Sequence, residues 1–377
     1  MINIQQVDTT DKKQVRRFVE YPYQLYKGCP QWVPPLFVDA YVPLNRQKHP
    51  FYDHSDADFF IATRDEQMVG RIAALENKPF NVYHGTRDAE FYFFDCVDDE
   101  EVAAALFGAV FDWTRARGLD RVVGPKGMSG FDGYGILIEG FEHRQMMTMM
   151  NYNYAYYRRL VEGLGFEKEV DFVSCYLPAE SFRTPERVER IAERVQARGQ
   201  LGVKRFKNKR DLVAWAPRIG QAYNKAFVKN WEYYPLTQRE IDFVVDNIMT
   251  IADHRLIKII TAGDEIVGFA FCFPDVSAAL QRAKGRLFPF GLIDLLLELK
   301  RTHTVSGNGM GILPEFQGHG GNALLYSEIG KTIFSPAFHF DFVEMTQVAE
   351  TTRQMRADLK NLNGVEYKNH RVYKKMI

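Results

Sequence analysis

Between Gly311 and Tyr326 the chain reads Gly-Ile-Leu-Pro-Glu-Phe-Gln-Gly-His-Gly-Gly-Asn-Ala-Leu-Leu-Tyr. A β-rich run ends at Pro314, glycines crowd 318–321, and an apolar helical pattern begins at Ala323, Leu324 and Leu325. A glycine-rich turn that opens a helix aims unpaired backbone N–H groups, and the positive end of the helix dipole, at one spot. Its glycines let a phosphate oxygen approach the main chain. The chemistry this segment suits is anion binding, although a tight strand-to-helix turn without a ligand uses the same glycines. Other constellations carry less. Cys29, Cys96, Cys175 and Cys272 lie far apart with no CxxC pair, so neither a disulfide framework nor a zinc ribbon is expected. His49 and His54 in HPFYDH form no metal site and read as a loop.

The elements that must position the loop occur twice. Residues 58–74, DFFIATRDEQMVGRIAA, read as strand, polar turn and strand, and residues 256–273, LIKIITAGDEIVGFAFCF, follow the same grammar. A second pair, LGFEKEVDFVSCYL from Leu164 and LNGVEYKNHRVYKK from Leu362, places Gly165 and Gly364 as helix C-cap glycines before strands. The interval from Gly70 to Gly268 matches that from Gly165 to Gly364 within one residue. In the first half, strand 90–96 leads to a helix from about Asp98 to Gly118 and then strand 121–124. In the second, the β-rich run THTVSGNGMGILP leads to a helix near Gly318 and then strand 341–346. This predicts a duplicated α/β unit, with a joint in the proline-punctuated segment 178–187. The expected division is 1–180 and 181–377. The first copy serves as a control: Asp98 and Glu101 would form a capping box, and Asp98, Asp99, Glu100 and Glu101 would repel a pyrophosphate.

Pro314-Glu315-Phe316-Gln317-Gly318-His319-Gly320 followed by Ala323-Leu324-Leu325 resembles the acyl-CoA motif of the GNAT (Gcn5-related N-acetyltransferase) superfamily. The resemblance implies two tandem GNAT-like domains, α/β in class, each a mostly antiparallel twisted sheet flanked by helices. It implies acetyl-CoA or a longer acyl-CoA as co-substrate and no metal. Ile312 and Leu313 would offer strand backbone to the pantetheine arm. Gln317, Gly318, His319, Gly320, Gly321 and Asn322 would surround the pyrophosphate, with Asn322 standing where Gly or Ala is usual. Many such enzymes use a tyrosine as acid, and Lys360 and Val161 occupy the matching positions here. The asparagine common after the fifth strand is replaced by Thr352. Glu344 is the candidate base, on a strand whose side chains could face the cleft; His303, His319 and Tyr326 are weaker candidates. No Ser/His/Asp or Cys/His arrangement follows from local spacing, so direct attack of an amine on the thioester is expected. The whole chain is also similar to bacterial twin-GNAT proteins through QWVPPL (31–36), VGRIAA, GPKGMSG and the Tyr-Tyr helix before LGF. Some of those are linked to N-acylation of long-chain bases.

The chain has 377 residues, more than the roughly 100–150 of a common domain, and its 46% apolar and 25% charged content is that of a globular protein. Lys plus Arg and Asp plus Glu both total 48, which argues against a nucleic-acid partner. It also counts against an aminoacyl-tRNA-dependent twin-GNAT transferase, one alternative reading; a non-catalytic CoA-binding or sensory module is the other. No secretory h-region and no spanning run is seen, so a cytoplasmic location is expected, with contact to the inner membrane face open. That contact would come through 286–301. There Leu292, Leu295, Leu296 and Leu299 follow helical spacing, Asp294, Glu298 and Arg301 share the other face, and basic residues flank the run. Packing on the first domain is the competing account. The first half's insertion ends in MMTMMNYNYAYYRRL (146–160), an adaptable apolar wall or simply core. The expectation is an N-acyltransferase acting on a small or lipid-like amine.

Overall fold

The computed structural model describes residues 1–146, 150–178 and 184–377, so Met147–Met149 of the first insertion and residues 179–183, half of the expected joint, lie outside the described residues. The chain clusters into two compact units. Unit 1 comprises 1–173, 277–295 and 368–377; unit 2 comprises 174–276 and 296–367.

In chain order the first elements are β1 (Ile2–Gln6), α1 (Lys12–Leu25), β2 (Asp56–Arg64), β3 (Gln67–Glu76), α2 (Lys78–His84), β4 (Asp88–Cys96) and α3 (Glu100–Ala116). β5 (Arg121–Gly124), β6 (Ile136–Glu139), α4 (Tyr156–Gly163) and β7 (Glu167–Pro178) follow. Then come α5 (Glu186–Arg198), β8 (Gly202–Lys204), α6 (Lys209–Ala226), α7 (Gln238–Met249), β9 (Ile257–Ala262) and β10 (Glu265–Pro274). The rest are α8 (Ser277–Ala283), α9 (Gly291–Arg301), β11 (Thr304–Ile312), α10 (Gly321–Ile333), β12 (Phe342–Ala349), α11 (Arg353–Asn361) and β13 (Val365–Met376).

Unit 1 orders its strands β1-β2-β3-β4-β5, antiparallel until the parallel pair β4/β5, and residues 373–376 of β13 run antiparallel beside β5. Alternate side chains of β2 enter two cores, as the two-residue strand period requires. Phe60 and Ala62 join α3 residues Val102, Leu106, Phe107 and Val110. Phe59 and Ile61 join Val15, Phe18 and Val19 of α1. In unit 2 the order is β8-β9-β10-β11-β12, again antiparallel until the parallel pair β11/β12. Its core joins Ala192 and Val195 of α5, Ile260, Val267 and Ala270 of the sheet, and Leu324 and Leu325 of α10.

The predicted repeat is visible as two hairpins, β2/β3 and β9/β10, each followed by a strand, a helix and a parallel strand. Two details differ. The N-cap of α3 is Asp99, which accepts from the amides of Glu101 (2.9 Å) and Val102 (3.2 Å), so Asp98 and Glu101 do not form a capping box. Gly165 has the expected positive φ of 79°, but after α11 it is Asn363 that takes the left-handed conformation, at 61°, ahead of Gly364. Asparagine is the usual substitute there. The insertion 277–295 packs within unit 1. Gln281 Nε2 donates to the carbonyls of Pro30 (2.8 Å) and Trp32 (2.9 Å), and the Phe37 amide donates to Gly285 O (2.7 Å). QWVPPL therefore seats the insertion.

Candidate functional site

The sheet of unit 2 opens where chemistry is expected. β11 pairs with β10 from Val305 to Ile312, but with β12 only from Thr304 to Gly307. Beyond Gly307 the parallel neighbours part, and β11 presents an edge that β12 does not pair. A register shift between Ala270 and Cys272 faces residues 307–310, a bulge that takes one residue out of the ladder. Gly309, at φ 134°, supplies the backbone freedom for it.

From this edge the chain enters the glycine loop. A 3-10 turn at Pro314–Phe316 leads through Gln317 and Gly318 (φ 81°) to Gly320 (φ 84°), the N-cap of α10. No side chain caps α10, and its first turn carries no acid. Its first amides therefore have no acceptor within the helix, and the dipole end is left uncompensated. Gln317, Gly318 and His319 are exposed, and Gln317 Nε2 turns back to Ile312 O (3.2 Å). Leu313 is fully buried and its amide donates to Val267 O (2.9 Å). The Asn322 side chain donates to Asp358 Oδ2 (3.1 Å), which also accepts from the Tyr326 hydroxyl (3.2 Å), so α10 and α11 are tied at this point. A Cβ on Gly320 would meet Val195 Cγ2 at 2.7 Å, whereas Gly318 faces open space. α5 thus fixes the rear of the loop while its front stays clear.

Glu344 lies opposite Ser306, one rung before the strands part. It is buried, and the Tyr367 hydroxyl of β13 is hydrogen-bonded to it. Burial first, and the Glu344 carboxylate second, push the Tyr367 pKa well above the ordinary phenol range. A surface glutamate is thereby excluded. Thr346 Oγ1 bonds both Gly307 O (3.3 Å) and Asn308 Oδ1 (3.0 Å), and Asn308 is also held by Ser306. The mouth of the opening is consequently polar and fixed. Beneath it lies a small apolar cavity lined in part by Gly307, Gly309, Met310, Tyr326, Val343 and Met345.

Unit 1 repeats the frame and fills it. β4 and β5 pair from Asp88 to Glu90, a bulge faces residues 92–95, and Phe93 has φ 50°. The chain after β5 then turns back on β4. Lys126 N donates to Phe91 O (2.9 Å), and Lys126 Nζ forms a buried pair with Glu90 (2.6 Å). Only residues 97–99 separate β4 from α3, against 313–320 between β11 and α10.

The remaining candidates sit elsewhere or are engaged. His303 precedes β11, at the end away from the loop, and faces Asp341 (3.0 Å). The Thr352 hydroxyl is spent on Ala349 O (2.6 Å), Lys360 is exposed and Val161 is buried. Tyr326 is 7% exposed, with its hydroxyl on Asp358. His49 Nδ1 accepts from Phe51 N, and His54 bonds Ser55. Among the described residues, no group of three or more His, Cys, Asp or Glu is placed to hold a metal ion. Sequence reasoning passed over Tyr367 and Asp358. Both come from the last elements of unit 2, and no local motif marks them.

The fold is the tandem GNAT fold. The chain superposes over its full length on a tandem GNAT protein from the clavulanic acid biosynthesis pathway, covering 98% of it at a TM-score of 0.58 with 10% identity. It is also similar, with 29% identity over 97% of this chain and 95% of the other, to the bacterial ceramide synthase of Caulobacter vibrioides. Protein YghO of Escherichia coli is 27% identical over 97% of this chain and 94% of that one. No family model matches the chain.

Proposed function

We propose that the protein is an acyl-CoA-dependent N-acyltransferase whose donor site is the opening of unit 2, passing a long acyl group to a lipid-like amine by direct attack. The observation that carries this is the uncapped, acid-free start of α10 at the end of a strand that has just parted from its parallel neighbour. The amides at the front of α10, with Gly318 and His319, would hold the pyrophosphate, and the free edge of β11 would receive the pantetheine arm. The bound acyl-CoA supplies a thioester carbonyl. Glu344 Oε takes a proton from the ammonium to leave the free amine, while Tyr367 fixes the carboxylate. The amine nitrogen then attacks the thioester carbonyl, the C–N bond forms as the C–S bond breaks, and CoA leaves as a thiolate that takes up the proton the amine nitrogen loses. The apolar cavity behind Gly307 and Gly309 suits hydrocarbon next to the reacting carbon. The similarity to a bacterial ceramide synthase favours a long-chain base as the amine.

The test combines binding and turnover. CoA, acetyl-CoA and a sixteen-carbon acyl-CoA should each raise the melting temperature, the last most, and His319→Glu should remove the shift. Release of CoA should then accelerate with a long-chain base and not with a short alkylamine. No shift with any ligand would overturn the donor site. A shift without CoA release for any amine would leave a binding module.

A further inference from the structure

Sixteen large apolar residues are exposed among the described residues, and six of them fall within ten successive positions: Phe288, Phe290, Leu292, Ile293, Leu296 and Leu297. Phe288 is 86% and Phe290 74% exposed. The sequence pattern places Leu292, Leu295, Leu296 and Leu299 on one apolar face of α9, open either to a membrane or to packing on the first domain. Instead Leu295 is buried and Leu292, Ile293, Leu296 and Leu297 form an outward face. Scattered exposed apolar residues need no explanation, but a concentration of this kind does.

The segment is braced from behind. Arg282 makes a two-pronged pair with Asp294 (2.8 and 2.9 Å), linking α8 to α9, and Leu292 N donates to Leu287 O (2.8 Å). A Cβ on Gly291 would collide with Arg286 O, so the turn is drawn tight between the aromatic pair and the helix. Gln281 and Gly285 anchor the base to the 30–37 loop. The rings are therefore held outward by structure around them.

Charge identifies what covers them. The chain balances its charges at 48 each, yet this segment carries exposed Lys284, Arg286, Lys300 and Arg301, and its one acid at the centre, Asp294, is already paired with Arg282. Glu298 is the only other acid of the helix. α9 has 11 residues, about half of what a bilayer core requires, so it can lie in an interface but not cross it. An apolar face rimmed by lysine and arginine matches acyl chains below anionic headgroups. A second copy of this chain would meet it with the same basic rim, and like charges would oppose a two-fold contact.

We propose that residues 284–301 form an interfacial anchor for an anionic lipid surface, with Phe288 and Phe290 inserted among the acyl chains and the basic rim on the headgroup phosphates. The acyl-transfer reading is not needed for this, but the two agree, because an anchor would hold the enzyme where a lipid-like amine resides.

The test is flotation with phosphatidylcholine vesicles, with and without about one third phosphatidylglycerol, in the absence of any acyl-CoA. The wild type should float with the anionic vesicles and lose binding as salt rises. Phe288→Ser with Phe290→Ser should weaken binding by about tenfold or more, and Lys300→Gln with Arg301→Gln by several-fold. The melting temperature of both double variants should stay unchanged, since the altered side chains are exposed. Failure to float, equal binding to neutral vesicles, or binding indifferent to the serine variant would overturn the anchor. So would a dimer in solution that the serine variant converts to monomer, since a second copy would then cover the patch.

Discussion

The starts of α3 and α10 are the same place in two copies of one frame, and they are finished in opposite ways. At α3 the helix begins three residues after its strand, Asp99 caps it, and Glu100 and Glu101 follow in its first turn. Arg64 and Arg159 then neutralise those acids, Arg64 pairing Asp99 at 2.7 Å and Arg159 pairing Asp98 and Glu100. Two of the terminal amides and the acids beside them are thus answered from within the chain. At α10 the loop is longer, the cap is a glycine and no side chain answers the amides. The strands, the bulge and the splay are thus kept while a handful of residues at one helix start decide whether its amides are answered from within the chain.

The rungs that carry carboxylates sharpen the contrast. Glu90, on β4, stands opposite Val123 near the opening in unit 1, and Glu344, on the other strand of the corresponding parallel pair, stands opposite Ser306 in unit 2. Glu90 is bound to a buried lysine; Glu344 is held by a phenol. Glu90→Gln should cost about 3–5 kcal/mol of stability, because Lys126 would lose its counter-charge in the core. Glu344→Gln should lower kcat by roughly 10²–10⁴ with CoA affinity and melting temperature nearly unchanged. Melting curves and steady-state kinetics on the two variants check this directly. A Glu344→Gln enzyme at full rate would remove the carboxylate from the mechanism and erase the difference between the rungs.

The filling of the unit 1 opening makes a pH prediction. The loop after β5 carries Asp132, whose burial pushes its pKa up to about 6. A carboxyl raised in the folded state holds its proton longer than in the unfolded chain, so its stabilising contribution is full below pH 3.8 and lost as pH rises through about 6. Asp132→Asn should therefore gain up to roughly 3 kcal/mol over the wild type at pH 7, and the gain should vanish near pH 4. His370, buried in the same unit against Asn151 O, is pushed down to about 4 by burial, so its contribution is present above pH 6.5 and lost on acidification toward 4. The two slopes oppose each other in the wild type. In the Asp132→Asn protein the opposing Asp132 slope is gone, so the melting temperature should fall more steeply from pH 6.5 to 4 than in the wild type. A stability difference between the two proteins that does not change with pH would place Asp132 in an ordinary, ionised state.

How much of this was legible depends on whether a feature is local. The hairpins announced themselves through alternation and Val-Gly pairs, and Gly318, Gly320 and Gly321 marked a helix start that needs no side-chain cap. The acids at 98–101 likewise announced a self-sufficient terminus, although the particular cap shifted from Asp98 to Asp99. The match of Glu344 with Tyr367 was not legible, because strands distant in sequence bring them together and neither sits in a motif. Asn322 read as a loop residue near phosphate, while its side chain in fact reaches α11; only the packing of two helices determines that. For α9 the sequence offers an exposed apolar face but not its residues, since Leu295 turns inward and Ile293 and Leu297 turn outward. A helix with leucines on several sides offers two choices of inner stripe, and the brace from Arg282 to Asp294 selects between them.

Substitutions at the two helix starts test the opening contrast most directly, and their choice matters. Gly320 is a poor target, since its φ of 84° and the approach of Val195 would confuse lost binding with lost packing. His319→Glu changes an exposed side chain and puts a carboxylate in front of the α10 amides, where α3 has its own. CoA affinity measured by calorimetry should fall about tenfold to a hundredfold while the melting temperature without ligand holds, an electrostatic effect that weakens as salt rises. The reciprocal change is smaller. Asp99→Ala removes the α3 cap and should cost about 1 kcal/mol of stability, yet it should create no CoA binding, because the short 97–99 connection and the Lys126 contact on β4 still block the edge. If Asp99→Ala gained measurable CoA affinity, the cap alone would separate the two copies, and loop length and edge closure would be incidental to the difference.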